Sequence, residues 1–113
     1  PARTAHMTLA LEGEIGVPEY REIAEALFRF SSRGVRRVVI DFSEVSHVDY
    51  RVVRPLILRA SGLRHLGGDI KLCGLSAYLH AIFRSAGAHD AFDYYAQAVD
   101  AVAAFDRPVL TAG

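Results

Sequence analysis

The sequence runs to 113 residues, the length of one compact domain whose core can bury about two thirds of the surface the unfolded chain exposes. A hydrophobic fraction of 51% with 23% charged residues excludes a disordered or low-complexity chain. Thirteen basic and thirteen acidic side chains cancel, which leaves no overall charge to attract nucleic acid or an anionic membrane.

One cysteine, Cys73, permits neither an internal disulfide nor a thiolate metal site, so the cytoplasm is the natural compartment. The first seven residues lack the apolar run of a secretion signal, and no stretch approaches the roughly 18 apolar residues of a membrane helix.

In chain order, residues 7–15 alternate apolar and polar up to Gly16, the pattern of a half-buried strand. Pro18 suits the first turn of a helix. Tyr20, Ile23, Ala24, Leu27 and Phe28 follow on one face, with Glu19, Glu22, Glu25 and Arg29 opposite, until Gly34. Residues 38–42 form a short β-branched run typical of a central strand covered on both faces, and Ser43 to Asp49 reads as a strand-to-helix loop.

Helical periodicity returns over Tyr50–His65, with Val53, Leu56, Ile57, Ala60 and Leu63 inward, Pro55 near the start and Gly67-Gly68 closing. Residues 69–75 predict a third buried strand, and Ser76 an N-cap for a helix over 77–86 that Gly87 ends. A short edge strand at 91–95 precedes a last helix over 97–105, which turns Ala98, Val99, Val102 and Phe105 inward. The tail after Pro108 is expected to fray.

Strands alternating with helices predict an α/β layered domain. Its sheet is mostly parallel, of about four or five strands with about four helices, and the first strand is antiparallel at the margin. One domain is expected over residues 1–113, with its core at about 8–105. Such sheets work at the carboxyl ends of their strands, and the most central junction is 43–53.

A helix starting at Tyr50 sets Arg51, Arg54, Leu58, Ser61 and His65 on the face opposite its core stripe. Between Tyr50 and Leu66 there are four arginines and no carboxylate, a surface suited to an acidic partner, with a plain solvated face as the alternative. Arginine is the disfavoured sign at a helix N-terminus, which points to a role for Arg51. Asp49 reads as the N-cap of that helix, Ser43 and Ser46 as turn hydrogen-bonding groups, and Cys73 as a small core residue.

The five histidines have no metal-ligand spacing, and no nucleophile with a base, carboxylate pair or glycine-rich phosphate loop is evident. Phe92, Tyr94 and Tyr95 have no interleaved basic residues and read as edge packing rather than a stacking platform for bases.

Val38-Val39-Ile40-Asp41-Phe42-Ser43-Glu44-Val45-Ser46-His47-Val48-Asp49 resembles the strand and loop before the regulatory serine of the sulfate transporter and anti-sigma factor antagonist (STAS) domain. Residues 67–76 and 82–87 resemble that family's next strand with its Ser-capped loop, and its third helix with a glycine stop. The resemblance spans about residues 8 to 105 and rests on the order and spacing of these segments.

It implies a small α/β regulatory domain that binds proteins and catalyses nothing, without cofactor or metal. In family members that act as anti-sigma factor antagonists, the aspartate is followed by Ser-Ser-Gly, and phosphorylation of the second serine switches partner binding off. Here Asp49 matches the aspartate, while Tyr50 and Arg51 stand where the serines would be and Val52 where the glycine would be. Arginine carries no hydroxyl and is opposite in charge to phosphoserine, so the usual switch is expected to be absent, with Ser46 an alternative acceptor.

The implied partner is an anti-sigma factor, a histidine-kinase-like ATPase or another signalling protein. The partner-binding residues are expected to be Asp49, Tyr50, Arg51, Arg54, Leu58 and Ser76. The alternative is an accessory subunit or domain of a membrane transporter, docking on its cytoplasmic part; such family members can lack the serine.

Overall fold

Gly16 and Pro18 turn the chain out of its first strand into its first helix, and the same alternation repeats through the described residues. The computed structural model describes residues 5–106. The elements are β1 (His6–Ile15), α1 (Val17–Ser32), β2 (Arg37–Val48), α2 (Tyr50–His65), β3 (Asp69–Cys73), α3 (Ala77–Ser85), β4 (Asp93–Tyr95) and α4 (Ala98–Phe105). The tail after Pro108 lies outside the described residues.

The four strands form one sheet in the order β1-β2-β3-β4, and every neighbouring pair is parallel. The antiparallel first strand is therefore corrected: β1 lies at the margin but runs parallel to β2. The reason is the connection. Two-residue turns join antiparallel strands, whereas a helix of 16 residues between β1 and β2 carries the chain back to start the next strand at the same end of the sheet.

Both faces of the sheet are covered. Val38 and Ile40 join a large core with α1, α2 and α3, while Val39 between them joins Cys73, Ala101 and Phe105 under α4. Lys71 also lies on the α4 side, with its Nζ 4.8 Å from the Phe105 ring and 2.8 Å from Asp93 Oδ2. Burial is the largest influence on Lys71 and opposes its charge, but the Asp93 hydrogen bond and the charges of Asp93, Asp69 and Tyr95 together outweigh it, and the pKa lies above the ordinary lysine value. Arg37 holds the other side of α4, donating to the Phe105 carbonyl at 3.0 Å.

Two residues expected inward point outward. Phe28 and Val99 are 68% and 66% exposed, and Ala26 and Ala101 occupy the buried positions. Phe28 lies at the border of the α1 stripe Ile23, Ala24, Ala26 and Leu27. There a ring projects over the gap toward α2 instead of into the sheet.

A third correction concerns β2, which continues to Val48 through the stretch expected to be a loop. Beyond Asp41, the last residue paired with β3, it pairs with β1 alone, through Glu44, Val45, His47 and Val48. Register shifts at Ala10/Glu12 and Gly13/Glu14 bend this ribbon, and Val45 and Val48 anchor it in the core. The effect is to carry the head of α2 past the carboxyl end of β3.

Candidate functional site

The site is built on the last residues of the β2 ribbon. Val48 is fully buried, and the Asp49 N–H donates to the Ile15 carbonyl at 2.9 Å, which pins the turn to the end of β1. Asp49 has extended backbone and caps α2: its Oδ1 accepts from the Arg51 N–H at 2.9 Å.

The Arg51 side chain then folds back onto the same carboxylate, with Nε 3.1 Å from both oxygens and Nη2 2.7 Å from Oδ2. This fork geometry satisfies two donors of the guanidinium at once. The side-chain hydrogen bond from Arg51 lowers the Asp49 pKa to about 2. The unfavourable charge at the head of α2 therefore has a local structural account, which removes the dipole argument for a role of Arg51.

Across from this pair stands α3. His47 Nδ1 lies 2.6 Å from the Tyr78 hydroxyl, with ring centroids 5.8 Å apart. His47, Asp49, Tyr50, Arg51, Tyr78 and Ile82 line one shallow groove of about 590 Å³. Tyr50 and Tyr78 are 68% and 54% exposed at its rim. Large side chains in this position are suited to contact rather than to chemistry.

The structure brings together Asp49, Tyr50 and Arg51 but not the whole expected set. Ser76 caps α3, accepting from the Leu79 N–H at 3.1 Å, and does not line the groove. Arg54 is exposed one turn along α2, and Leu58 lies a further turn away, facing α1. His47 and Tyr78 were not anticipated, since their contact joins residues 31 apart in sequence.

The expected basic face is also reduced. Arg51 is paired with Asp49, and Arg64 turns to Asp69 at 2.7 Å and to the Ala91 carbonyl at 2.6 Å. Among the described residues, Arg54 and Arg59 have no ion pair.

Ser43 and Ser46 lie in the β2 ribbon, not in a loop. The Ser43 hydroxyl donates to Asp41, and Ser46 is exposed between Val45 and His47. Cys73 is fully buried, and burial pushes its thiol up to about 11, so little thiolate exists at neutral pH. Among the described residues, no group of three or more His, Cys, Asp or Glu gathers as a metal site, and no helix is long and apolar enough to cross a membrane.

The Asp49 shift gives a pH test. A carboxyl pKa depressed in the fold contributes stability above its unfolded value, near 3.8, and loses it as pH falls through about 2. Asparagine caps a helix equally well but does not titrate. The melting temperature of Asp49→Asn is therefore expected to fall less steeply than that of the wild type between about pH 4 and pH 2. Parallel profiles in a thermal melt series would show that the Asp49–Arg51 pair does not persist in solution.

Residues 1–95 match the family model described as Mlab, STAS domain. A protein of Bordetella bronchiseptica assigned as an anti-sigma factor antagonist, BtrV, is 26% identical over 77 residues. That match takes in 68% of this chain and 66% of the relative, just under two thirds of its length.

Among solved structures, one assigned as an anti-sigma factor antagonist of Thermotoga maritima superposes with a TM-score of 0.77 at 14% identity, covering 88% of each chain. The anti-sigma factor antagonist SpoIIAA in its unphosphorylated form gives 0.71 at 15% identity and 96% of each chain. The murine anion transporter Slc26a9 gives 0.72 at 15% identity over 88% of this chain and 17% of its own. These identities carry the fold alone. With its parallel sheet, its Asp-capped second helix and a family match over residues 1–95, the chain belongs to the STAS domain family.

Proposed function

We propose that this chain is a non-catalytic, protein-binding regulatory domain of the partner-switching kind, an anti-sigma factor antagonist that has lost the usual phosphorylation switch. The observation that carries the proposal is Arg51: at the position where antagonists present a phosphorylatable serine, this chain holds an arginine closed onto Asp49 between two exposed tyrosines. Tyrosine and arginine are the side chains that anchor protein interfaces, because they bury large areas at low entropic cost while keeping a polar end satisfied.

The domain, taken as one unit over residues 1–113, acts in the cytoplasm. It binds its partner constitutively or is controlled through that partner. The partner is an anti-sigma factor, a histidine-kinase-like ATPase or another signalling protein, and no nucleic acid is involved. Any phosphate acceptor has moved to another hydroxyl, with Ser46 the exposed candidate on the β2 ribbon.

The transporter reading is supported by the likeness to Slc26a9, which at 15% identity carries the fold alone. The antagonist reading has the 26% identical relative in addition.

Affinity capture from a lysate of the source organism tests the proposal, comparing wild type with Tyr50→Ala, Arg51→Glu. Both side chains are exposed and an exposed ion pair contributes about 1 kcal/mol or less, so the double variant is expected to melt cooperatively within a few degrees of the wild type. Wild type is expected to retain a kinase-like ATPase or an anti-sigma factor, with at least about tenfold less recovered on the variant. Equal recovery on both baits would remove the head of α2 as the site, and a transporter ATPase would select the alternative.

A further inference from the structure

A second surface, sharing no lining residue with the first, lies between the outer sides of α1 and α2. Phe28, Leu58 and Leu66 are 68%, 64% and 61% exposed, and all three line a single groove of about 630 Å³ together with Tyr20, Pro55 and Arg59. Large apolar side chains clustered in this way on a surface mark a contact site, whereas scattered ones do not.

Gly62, well inside α2 and exposed, lines the groove. A Cβ built there meets nothing within 4 Å, and no positive φ requires glycine at this position. Glycine inside a helix lowers its stability, so the fold gains nothing from this one. What the missing side chain does provide is room for another backbone to approach closely.

Charge favours an acidic occupant. The lining contains Arg59 and no carboxylate, and Arg54 lies one turn ahead. Beside the groove, Arg29 and Glu25 adjoin Phe28 and Arg59, and the Glu25 carboxylate lies 4.0 Å from Arg29.

We infer that this groove is a docking site for an amphipathic helix of a partner protein, with apolar anchors at i, i+3 or i+4 and i+7 and acidic residues on its flanks. A helix of about 16 residues matches the length of α2, roughly 24 Å. The inference goes beyond the function proposed above and does not depend on it.

The test uses the whole chain and two peptides of about 16 residues with identical leucine anchors, one carrying glutamate and the other lysine at the remaining positions. Binding is read by fluorescence anisotropy and mapped by amide chemical shifts. The acidic peptide is expected to bind at least about tenfold tighter than the basic one and to shift amides around Phe28, Gly62 and Leu66.

Two variants keep the test independent of folding. Gly62→Gln puts a side chain into the groove, and is expected to raise the melting temperature while weakening the acidic peptide at least about tenfold. Phe28→Asp is expected to weaken it similarly at unchanged stability. Tyr50→Ala, Arg51→Glu is expected to bind the peptide within about twofold of wild type, so that failure here and failure at the head of α2 can be told apart.

Equal affinity for the two peptides, no binding at millimolar peptide, or full binding by Gly62→Gln would overturn the inference. So would sedimentation of the wild type as a dimer that Phe28→Asp dissociates, because the groove would then belong to a second copy of the chain.

Discussion

Gly68→Ala is expected to destabilise the fold by about 3 kcal/mol and lower its melting temperature by more than about 10 °C, although it adds a single methyl group. Gly68 joins the end of α2 to β3, where the next N–H, that of Asp69, donates to the Arg36 carbonyl at 2.9 Å. A Cβ at Gly68 would press into that same carbonyl oxygen and lie 2.7 Å from its carbon and from the Arg36 Cβ.

These atoms begin the pairing of the two central strands, Arg37 with Asp69, so they cannot retreat without opening the ladder that carries Val38, Ile40, Ile70 and Leu72 into the core. The neighbouring Gly67 provides the control. It has φ +83 but open space where a Cβ would sit, so Gly67→Asn, which tolerates that conformation, is expected to cost well under about 1 kcal/mol. Urea or thermal melts of the two variants decide the matter. If Gly68→Ala melts within a few degrees of wild type, the approach of the chain end of α2 to β2 is looser than described.

Where the sequence was readable, a local signal coincided with a tertiary one. The bounds of α2 were legible because Asp49 caps it, Gly67-Gly68 closes it, and the apolar stripe between them has helical period. The central place of residues 38–42 was legible because a β-branched run without polar alternation needs cover on both faces.

The β2 ribbon was not legible. Between Ser43 and Val48 only Val45 and Val48 are buried, three residues apart, and neither a strand of period two nor a helix is suggested by that spacing. The register shifts that produce it arise from pairing with β1. Phe28 was misplaced for a related reason: a residue at the border of a helical stripe is assigned by the shape of its neighbours, and here the neighbour is α2, more than 25 residues downstream in places.

The candidate site divides in the same way. Asp49, Tyr50 and Arg51 are consecutive and could be read together. The closure of Arg51 on Asp49 follows from an N-cap carboxylate two residues before a guanidinium, but reasoning from the helix dipole alone overlooks it. Tyr78 reaches the site only because β3 delivers α3 beside α2, and no spacing in the sequence announces that.

On the function proposed above, restoring the missing hydroxyl with Arg51→Ser is expected to make partner binding switchable. The cap survives the change, because Asp49 accepts from the backbone N–H of residue 51 and not only from its side chain. Loss of the guanidinium frees the carboxylate that Arg51 now occupies. A hydroxyl at the second position of α2 is exposed and lies at the positive end of the helix, where phosphate is electrostatically welcome.

If the proposed partner is a kinase-like ATPase, that ATPase supplied with ATP is expected to phosphorylate Arg51→Ser at residue 51 and to leave the wild-type chain unmodified. Added charge of about −1.5 to −2 beside Asp49 would repel the acidic partner surface that the arginines of this face suit, so phosphorylation is expected to weaken binding at least about tenfold. Intact-mass measurement reads the modification, and titration calorimetry before and after phosphorylation reads the affinity. Phosphate on Ser46 in both proteins would mean that the switch moved along the β2 ribbon. An Arg51→Ser chain that the ATPase binds but never modifies would mean that the partner is not a kinase and that regulation lies wholly outside this domain.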